Sequence, residues 1–508
     1  MATTSTASAP TPHLPVSGKT SFGHPRALTT LFLTEMWERF SFYGMRALLP
    51  LYLIAGGPAA AAGSQGDGLA LKTSTALAIT SLYMAMVYLP SMVGGWLGDR
   101  LWGPRRTVII AGCVIVAGHL LLAVPGMAPF FAGLVLVAVG SGLLKANIST
   151  MVGHLYEGPD DPRRDGGFTV FYMGINLGGL MAPLIIGTVG QQVSWHLGFA
   201  LAAVGMALGL VQFVLGTRHM RDRSAVVPKP LAPGELASVA RKFLAWLGVA
   251  AVAYAALVLS GHFTMNWALV PLALAGIAIP VGVLVRIKRD KALEAGEQSR
   301  MNGYIWFFAA AAVFWMIYDQ GASTMAVFGS SSTSGQLFGM AFPSSWLQSS
   351  NPLMIMALGP LFAWLWVMLA RRRKEPTTVV KFAIGLGLVG VSFLVFALPM
   401  AMAGGGAKVT PMWLVSIYLI QTIGELCLSP VGLSLTTKMA PHKYASQMMG
   451  IWFLAVTTGD CVTSLLTMGG INLNTTPVVG AEGALAILTG LAVFLSRKKV
   501  QPLMGTAR

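Results

Sequence analysis

Apolar residues along this chain run in stretches of membrane length rather than in the short periodic faces of a soluble helix. A helix needs about 20 predominantly apolar residues to cross the hydrocarbon core of a bilayer. Such stretches fall near 27–55, 70–97, 106–124, 127–152, 166–191, 195–217, 240–260, 264–286, 303–328, 345–370, 377–401, 410–437, 444–468 and 476–496. They predict fourteen transmembrane helices in an all-α polytopic fold. The spacing is uneven. Six spans precede a basic linker from Arg218 to Arg241, two plain spans follow, and six more come after a second basic linker from Arg286 to Arg300. Intramembrane charges sit in the outer groups: Glu35, Glu38, Arg39, Arg46 and Lys145 in the first six, Asp319, Glu425 and Asp460 in the last six. This predicts two six-helix bundles facing each other across a polar cavity, with a peripheral middle pair, as in transporters built from repeats. The boundaries follow: a flexible cytoplasmic tail at 1–25, an N-terminal bundle at 26–218, linkers with two extra helices at 219–302, a C-terminal bundle at 303–497 and a tail at 498–508.

Composition agrees, with 508 residues, 55% hydrophobic and 10% charged, and a mean hydropathy of +0.68. The formal charge of +16 would fit a nucleic-acid binder, but its distribution excludes that partner. Of the 34 Lys and Arg, Arg39, Arg46 and Lys145 fall inside spans, Lys72 and Lys408 on one side of the membrane, and all the rest on the other. That is the positive-inside pattern. It places both termini of a multi-pass membrane protein in the cytoplasm. The first 25 residues are rich in Ser, Thr, Pro and Ala and lack an apolar core with a cleavage site, so no secretory signal is expected. Cys113, Cys427 and Cys461 lie within predicted spans, so neither a disulfide framework nor a metal site is expected. Histidines are few and scattered, and no Ser/His/Asp or HExxH spacing and no P-loop occurs, which speaks against an enzyme or an ATP-driven pump and for a chain without cofactor.

The chemistry concentrates in the first span. Glu35, Glu38, Arg39, Phe42, Tyr43 and Arg46 share one broad stripe of a helix. A charge at the bilayer centre costs at least about 2.5–3.5 kcal/mol, so these groups pair and line a wet cavity. Lys145, deep in Gly140–Ser149, needs a carboxylate partner to stay charged, and Asp319 and Glu425 are the candidates. Cations in one bundle and acids in the other suit a zwitterion, with Arg39 as a fork for a carboxylate and Glu425 as acceptor for an ammonium. Surplus acids beside a movable cation, namely Glu35, Glu38 or Asp319, can take up and release protons. Tyr172 and Asn176, one turn apart, and Asn351 before Pro352 fit the same cavity, with Tyr88 and Trp452 as aromatic walls. Between the second and third spans, the glycines of 94–106 permit close helix approach, and Asp99 with its arginines offers a cytoplasmic charge latch. That loop resembles the signature of the major facilitator superfamily.

Taken together, Glu35-x-x-Glu38-Arg39-Phe40-x-Phe42-Tyr43-Gly44-x-Arg46 resembles the ExxERFxYYG signature of proton-dependent oligopeptide transporters, and Phe171–Gly178 their FYxxINxG motif. Gly140–Ser149, Phe314–Gln320 and Gly424–Leu433 are similar to further family segments, and two extra helices between the bundles are what bacterial members show. The resemblance implies alternating access and proton-coupled uptake of di- and tripeptides without an obligatory protein partner. It implies proton coupling by Glu35, Glu38 and Arg39, and a gate in which Lys145 pairs with Asp319. Arg39, Tyr43 and Lys145 would meet the peptide carboxylate, and Asn176, Asn351 and Glu425 its ammonium end. Arg46, Tyr88, Ser429 and Trp452 would line the pocket. Phe42 stands where the family has a tyrosine, Ala146 where a proline is common, Gly179 where a serine is common, and Tyr318 where some members carry a second acid. Asp460 takes no role from the resemblance and reads as a partly wet structural acid. A major-facilitator transporter of a drug, nitrate or another small solute remains the alternative, since fold does not fix substrate.

Overall fold

A computed structural model of the protein describes residues 20–21, 23–57, 66–156, 161–217, 223–337 and 339–503. The tail expected at 1–25 therefore lies mostly outside the described residues. The first bundle comprises α1 (Ala27–Ile54), α2 (Thr73–Tyr88) continued by α3 (Ser91–Leu97), α4 (Pro104–Leu122), α5 (Met127–His154), α6 (Arg164–Gln192) and α7 (Trp195–Thr217). The middle pair is α8 (Glu235–Leu259) and α9 (Asn266–Lys288). The second bundle comprises α10 (Ala295–Tyr318) continued by α11 (Thr324–Ser332), then α12 (Ser350–Arg371), α13 (Thr378–Ala403), α14 (Met412–Met439), α15 (Ala445–Met468) and α16 (Thr476–Leu503). Thirteen of these helical stretches are long and apolar enough to span a membrane. The fourteenth, α1, is as long at 28 residues but carries the four charges that dilute its hydropathy. The last span continues to Leu503, into the stretch expected to be a cytoplasmic tail, and the span expected at 345–370 opens with a 3₁₀ turn at Ser344–Ser349 before α12.

Two features place the polar residues. The helix begun by α10 breaks into a 3₁₀ turn at Asp319–Ala322, and the Tyr418 hydroxyl donates to the freed Gly321 carbonyl at 2.8 Å. The break puts Asp319 at the end of α10, where irregular backbone inside a membrane is tolerated because it is covered by protein or lines a cavity. The second feature is close packing of α1 on α6. A Cβ on Gly178 would lie 2.3 Å from the Met36 carbonyl and 3.0 Å from Arg39 Cβ, so only glycine lets α6 approach the charged stripe. Gly178→Val is expected to abolish recovery of folded protein, whereas Gly387→Ala, at a site with open space around it, is tolerated. Size-exclusion profiles of the two variants in detergent check this, and a normal Gly178→Val profile would refute the packing argument.

Hydrogen bonds between the bundles gather on the face away from the basic linkers. Gln191 on α6 donates to Ser344 Oγ at 2.9 Å and accepts from the Ser345 amide at 3.0 Å, and Ser349 Oγ donates to the Leu180 carbonyl at 2.8 Å. On the other flank Thr457 and Ser464 of α15 donate to the Ala85 and Ala78 carbonyls of α2 at 3.2 and 3.0 Å. Below this face Lys145, Asn351 and Glu425 are half-buried, and Tyr172 on α6 is exposed. The bundles are therefore joined by hydrogen bonds on the face opposite the linkers.

The middle pair divides in character. No residue of α8 is buried, as expected of a peripheral helix. Its partner α9 is not merely peripheral: Gly276 packs against Cys461 of α15 and Met86 of α2, so this helix lies over the joint between the bundles. The loop before α4 also differs in detail from a latch among its own charges. Arg100 forms a two-pronged pair with Glu235 at the start of α8, at 2.6 and 2.7 Å, tying the loop to the first linker. At the second linker Asp290 accepts from Lys443 at 2.6 Å and Tyr444 at 2.5 Å, and these bonds hold its carboxyl well below the usual carboxylate range.

Candidate functional site

On α1, the helix repeat brings Glu35 and Arg39 together, with Arg39 Nε 3.1 Å from Glu35 Oε1 and 2.5 Å from Glu38 Oε2. All three are buried. Ser141 Oγ on α5 donates to Glu38 Oε1 at 2.9 Å, and the Arg39 guanidinium lies 5.1 Å from the Phe42 ring centroid. One cation faces two carboxylates in a dry setting, so the cluster reaches neutrality by binding one proton. Phe42, which lacks the expected hydroxyl, serves as an apolar and cation–π wall for Arg39.

At the join between bundles Arg46 Nη2 lies 3.3 Å from Asp319 Oδ1, and its guanidinium sits 5.5 Å from the Tyr43 ring centroid. The expected pairing of Lys145 with Asp319 is not the one formed here. Lys145 Nζ instead lies 3.8 Å from the Tyr88 ring centroid and 5.2 Å from that of Phe453, two rings stacked across the bundles. Arg46 is long enough to cross from α1 to the break after α10 and occupies the carboxylate. Thus Arg46, assigned to the pocket lining, holds the inter-bundle bridge, and Phe453 rather than Trp452 meets Lys145.

In the second bundle Asn351 Nδ2 lies 2.7 Å from Tyr318 Oη, 3.0 Å from Thr422 Oγ1 and 3.2 Å from Glu425 Oε2, while the Tyr318 hydroxyl donates to the same Glu425 oxygen. Asn351 and Glu425 therefore stand together as expected, in a network whose other members, Tyr318 and Thr422, were not assigned to the site. Asn176 does not join them: its Nδ2 donates to the Tyr172 carbonyl one turn back on α6 at 3.0 Å. Trp452 is a core residue, packed against Gly432 and edge-on to Phe382, with ring centroids 6.3 Å apart. The Ser429 Oγ is buried without a hydrogen-bond partner among the described residues. Asp460 is buried rather than partly wet.

A further acid escaped the sequence reading. Glu482 on α16 is buried and accepts from Gln320 Nε2 at 2.8 Å, and Thr324 Oγ1 donates to Gln320 Oε1 at 2.9 Å. Its signal was legible, since an acid within an apolar span is a functional candidate by default.

Residues 105–469 match the model of the POT family. A transporter of Bacillus subtilis named YclF, described as uncharacterized, is 43% identical over 484 residues, covering 94% of this chain and 95% of that one. A di-/tripeptide transporter of Lactococcus lactis subsp. cremoris is 41% identical over 504 residues, covering 96% and 98%. Among solved structures, a peptide transporter POT in complex with sulfate superposes with a TM-score of 0.89 at 42% identity, covering 96% and 97%.

Proposed function

The chain belongs to the POT family, a premise from which we propose that it is a symporter taking up di- and tripeptides with protons by alternating access of its two bundles. The observation that carries this reading is the Arg46–Asp319 ion pair, a charged bridge that joins the two bundles. A proton on Asp319 removes the attraction, so protonation and closure are linked. The Glu35–Glu38–Arg39 cluster supplies a second protonatable group, and Lys145 completes the coupling set. The same residues receive substrate. Lys145 and Tyr43, both half-buried, suit a peptide carboxylate, with the buried Arg39 one turn behind Tyr43 on α1. Glu425, held by Tyr318 and Asn351, suits the ammonium on the other side. Tyr88 and Phe453 form the wall beneath Lys145, and Ser429 contributes a hydroxyl. Fixed contacts at the two termini leave side-chain choice to the roomy remainder of the cavity. The protein sits in the bacterial inner membrane with both termini cytoplasmic, so the cavity faces the cytoplasm in the conformation described. An inward-moving proton then gains about 2.3 kcal/mol per 100 mV of membrane potential.

The test is uptake of labelled dialanine into proteoliposomes under an inward proton gradient, before and after a protonophore. Accumulation that vanishes with the gradient is expected. Its absence in folded, correctly oriented protein would move the reading to another small organic or anionic solute. Glu425→Gln keeps the shape of the Tyr318–Asn351 network but removes the charge, and is expected to raise the KM for dialanine at least about tenfold, the scale of one charge-assisted hydrogen bond. An unchanged KM would remove Glu425 from the ammonium site.

A further inference from the structure

Asp460 has no part in the mechanism so far, yet it is only 1% exposed and its Oδ2 has no hydrogen-bond partner among the described residues. Its neighbours on α15 fix where it stands. Thr457 and Ser464 bind carbonyls of α2, as described above. On another face Thr463 Oγ1 donates to the Met316 carbonyl at 3.1 Å, and Gly459 lies against the Ala312–Met316 backbone of α10. At about 100° per residue, position 460 falls between these two faces. The carboxyl is therefore set on the seam between α2 and α10, at the junction of the two bundles, beside the break that carries Asp319.

The ionisable groups around that seam can be named element by element. From α2 come Tyr83 and Tyr88, from α10 and the following turn Tyr318 and Asp319, and from α14 Glu425. The span of α9 from Asn266 to Val285 brings none, and Lys443 and Tyr444, before α15, are engaged with Asp290. The seam leads to the Arg46–Asp319 bridge, since Met316, whose carbonyl Thr463 binds, lies three residues before Asp319. One guanidinium, paired with Asp319, thus stands at a junction that holds two buried carboxylates. With both acids ionised the junction carries a net negative charge in a medium of low dielectric, and one bound proton removes it.

Resting on the proton-coupled reading above, we propose that Asp460 is a proton-binding site of the transport cycle that governs the Arg46–Asp319 bridge. With its proton bound, Asp460 is neutral and Arg46 belongs to Asp319, so the face opposite the linkers stays sealed. When the proton passes to water in the cavity on the linker side, the Asp460 carboxylate competes for Arg46 and loosens the bridge. Proton release to the cytoplasm thereby permits the empty carrier to return to its outward-facing form. Asp460 acts here through Arg46, as a coupling and positioning residue with no contact to the peptide.

The experiment compares wild type, Asp460→Asn and Asp460→Glu in proteoliposomes, each assayed for gradient-driven dialanine accumulation across external pH values and for gradient-free exchange of internal unlabelled against external labelled dialanine. Asparagine mimics the protonated form, so the loaded carrier still reorients while the empty one returns slowly. The expected result is a loss of driven accumulation of at least about tenfold, with exchange within about twofold of wild type. Asp460→Glu is expected to restore driven accumulation with a displaced pH profile. Wild-type driven uptake in Asp460→Asn would overturn the proposal, as would parallel loss of exchange and driven uptake in both variants, which marks a structural role. Should Asp460→Asn fail to fold, an Asp460→Glu pH profile identical to wild type overturns it alone. Failure of the proton-coupled reading itself would show separately, as absent driven uptake in the wild-type arm.

Discussion

Arg39→Ala is expected to abolish both driven uptake and exchange and to lower stability by about 3–5 kcal/mol, the cost of leaving buried charges without their partner. The change would leave Glu35 and Glu38 buried within α1 with Ser141 Oγ as the remaining donor to Glu38. Protonation of both acids would limit the damage, so the loss should be smaller in acid than at neutral pH. Arg39→Lys separates structure from function. It keeps a cation beside the carboxylates but replaces a planar fork by a point charge, so near-normal folding with impaired uptake is expected. Thermal melting in detergent at two pH values, alongside exchange assays, reads both effects. An Arg39→Ala protein that melts like wild type at neutral pH would mean that the cluster is not held together by this cation.

Breaking the bridge should have the second largest effect, of a different kind. Asp319→Asn is expected to remove gradient-driven accumulation while retaining exchange, because the bridge is the element through which a proton changes the relative stability of open and closed forms. Arg46→Gln should be worse than Asp319→Asn, since it leaves two acids, Asp319 and Asp460, at one junction with no guanidinium between them. The double variant Arg46→Gln with Asp319→Asn should then recover part of the loss, with a coupling energy of about 0.5–3 kcal/mol in melting temperature cycles. Strict additivity of the two single changes would show that the residues do not act as a pair in the folded protein.

Besides adding Asp460, the proposed coupling set exchanges the partner that the family resemblance implies for Asp319, and that exchange has a geometric cause. Lys145 and Arg46 are both basic residues of the first bundle within reach of the junction. Arg46 arrives from α1 directly opposite the break after α10, whereas Lys145 approaches from α5 with two stacked rings, Tyr88 and Phe453, in front of its ammonium. A ring face holds a cation without neutralising it, which leaves Lys145 available to a substrate carboxylate or to Asp319 in another conformation. The displaced role of Trp452 has a similar origin. It precedes Phe453 by one residue and so points about 100° away around α15, where Gly432 leaves a slot that its indole fills.

Much of this protein is written in its sequence because a bilayer imposes simple rules. Length of apolar runs sets the spans, loop charge sets their direction, and each ionisable residue inside a span must find a partner or a wet cavity. Those rules alone yield fourteen helices in two groups of six with a middle pair. They also mark Glu35, Glu38, Arg39 and Arg46 as one stripe, because residues three and four apart on a single helix meet whatever the rest of the fold does. Sequence could not decide between partners on different helices. Whether Asp319 meets Arg46 or Lys145, whether Asn176 faces the cavity or its own backbone, and whether Asp460 is wet or sealed depend on the crossing and rotation of α1, α5, α6, α10 and α15. Those are set by the sum of many small packing contacts, Gly178 against Met36 among them, rather than by the identity of the charged residues themselves.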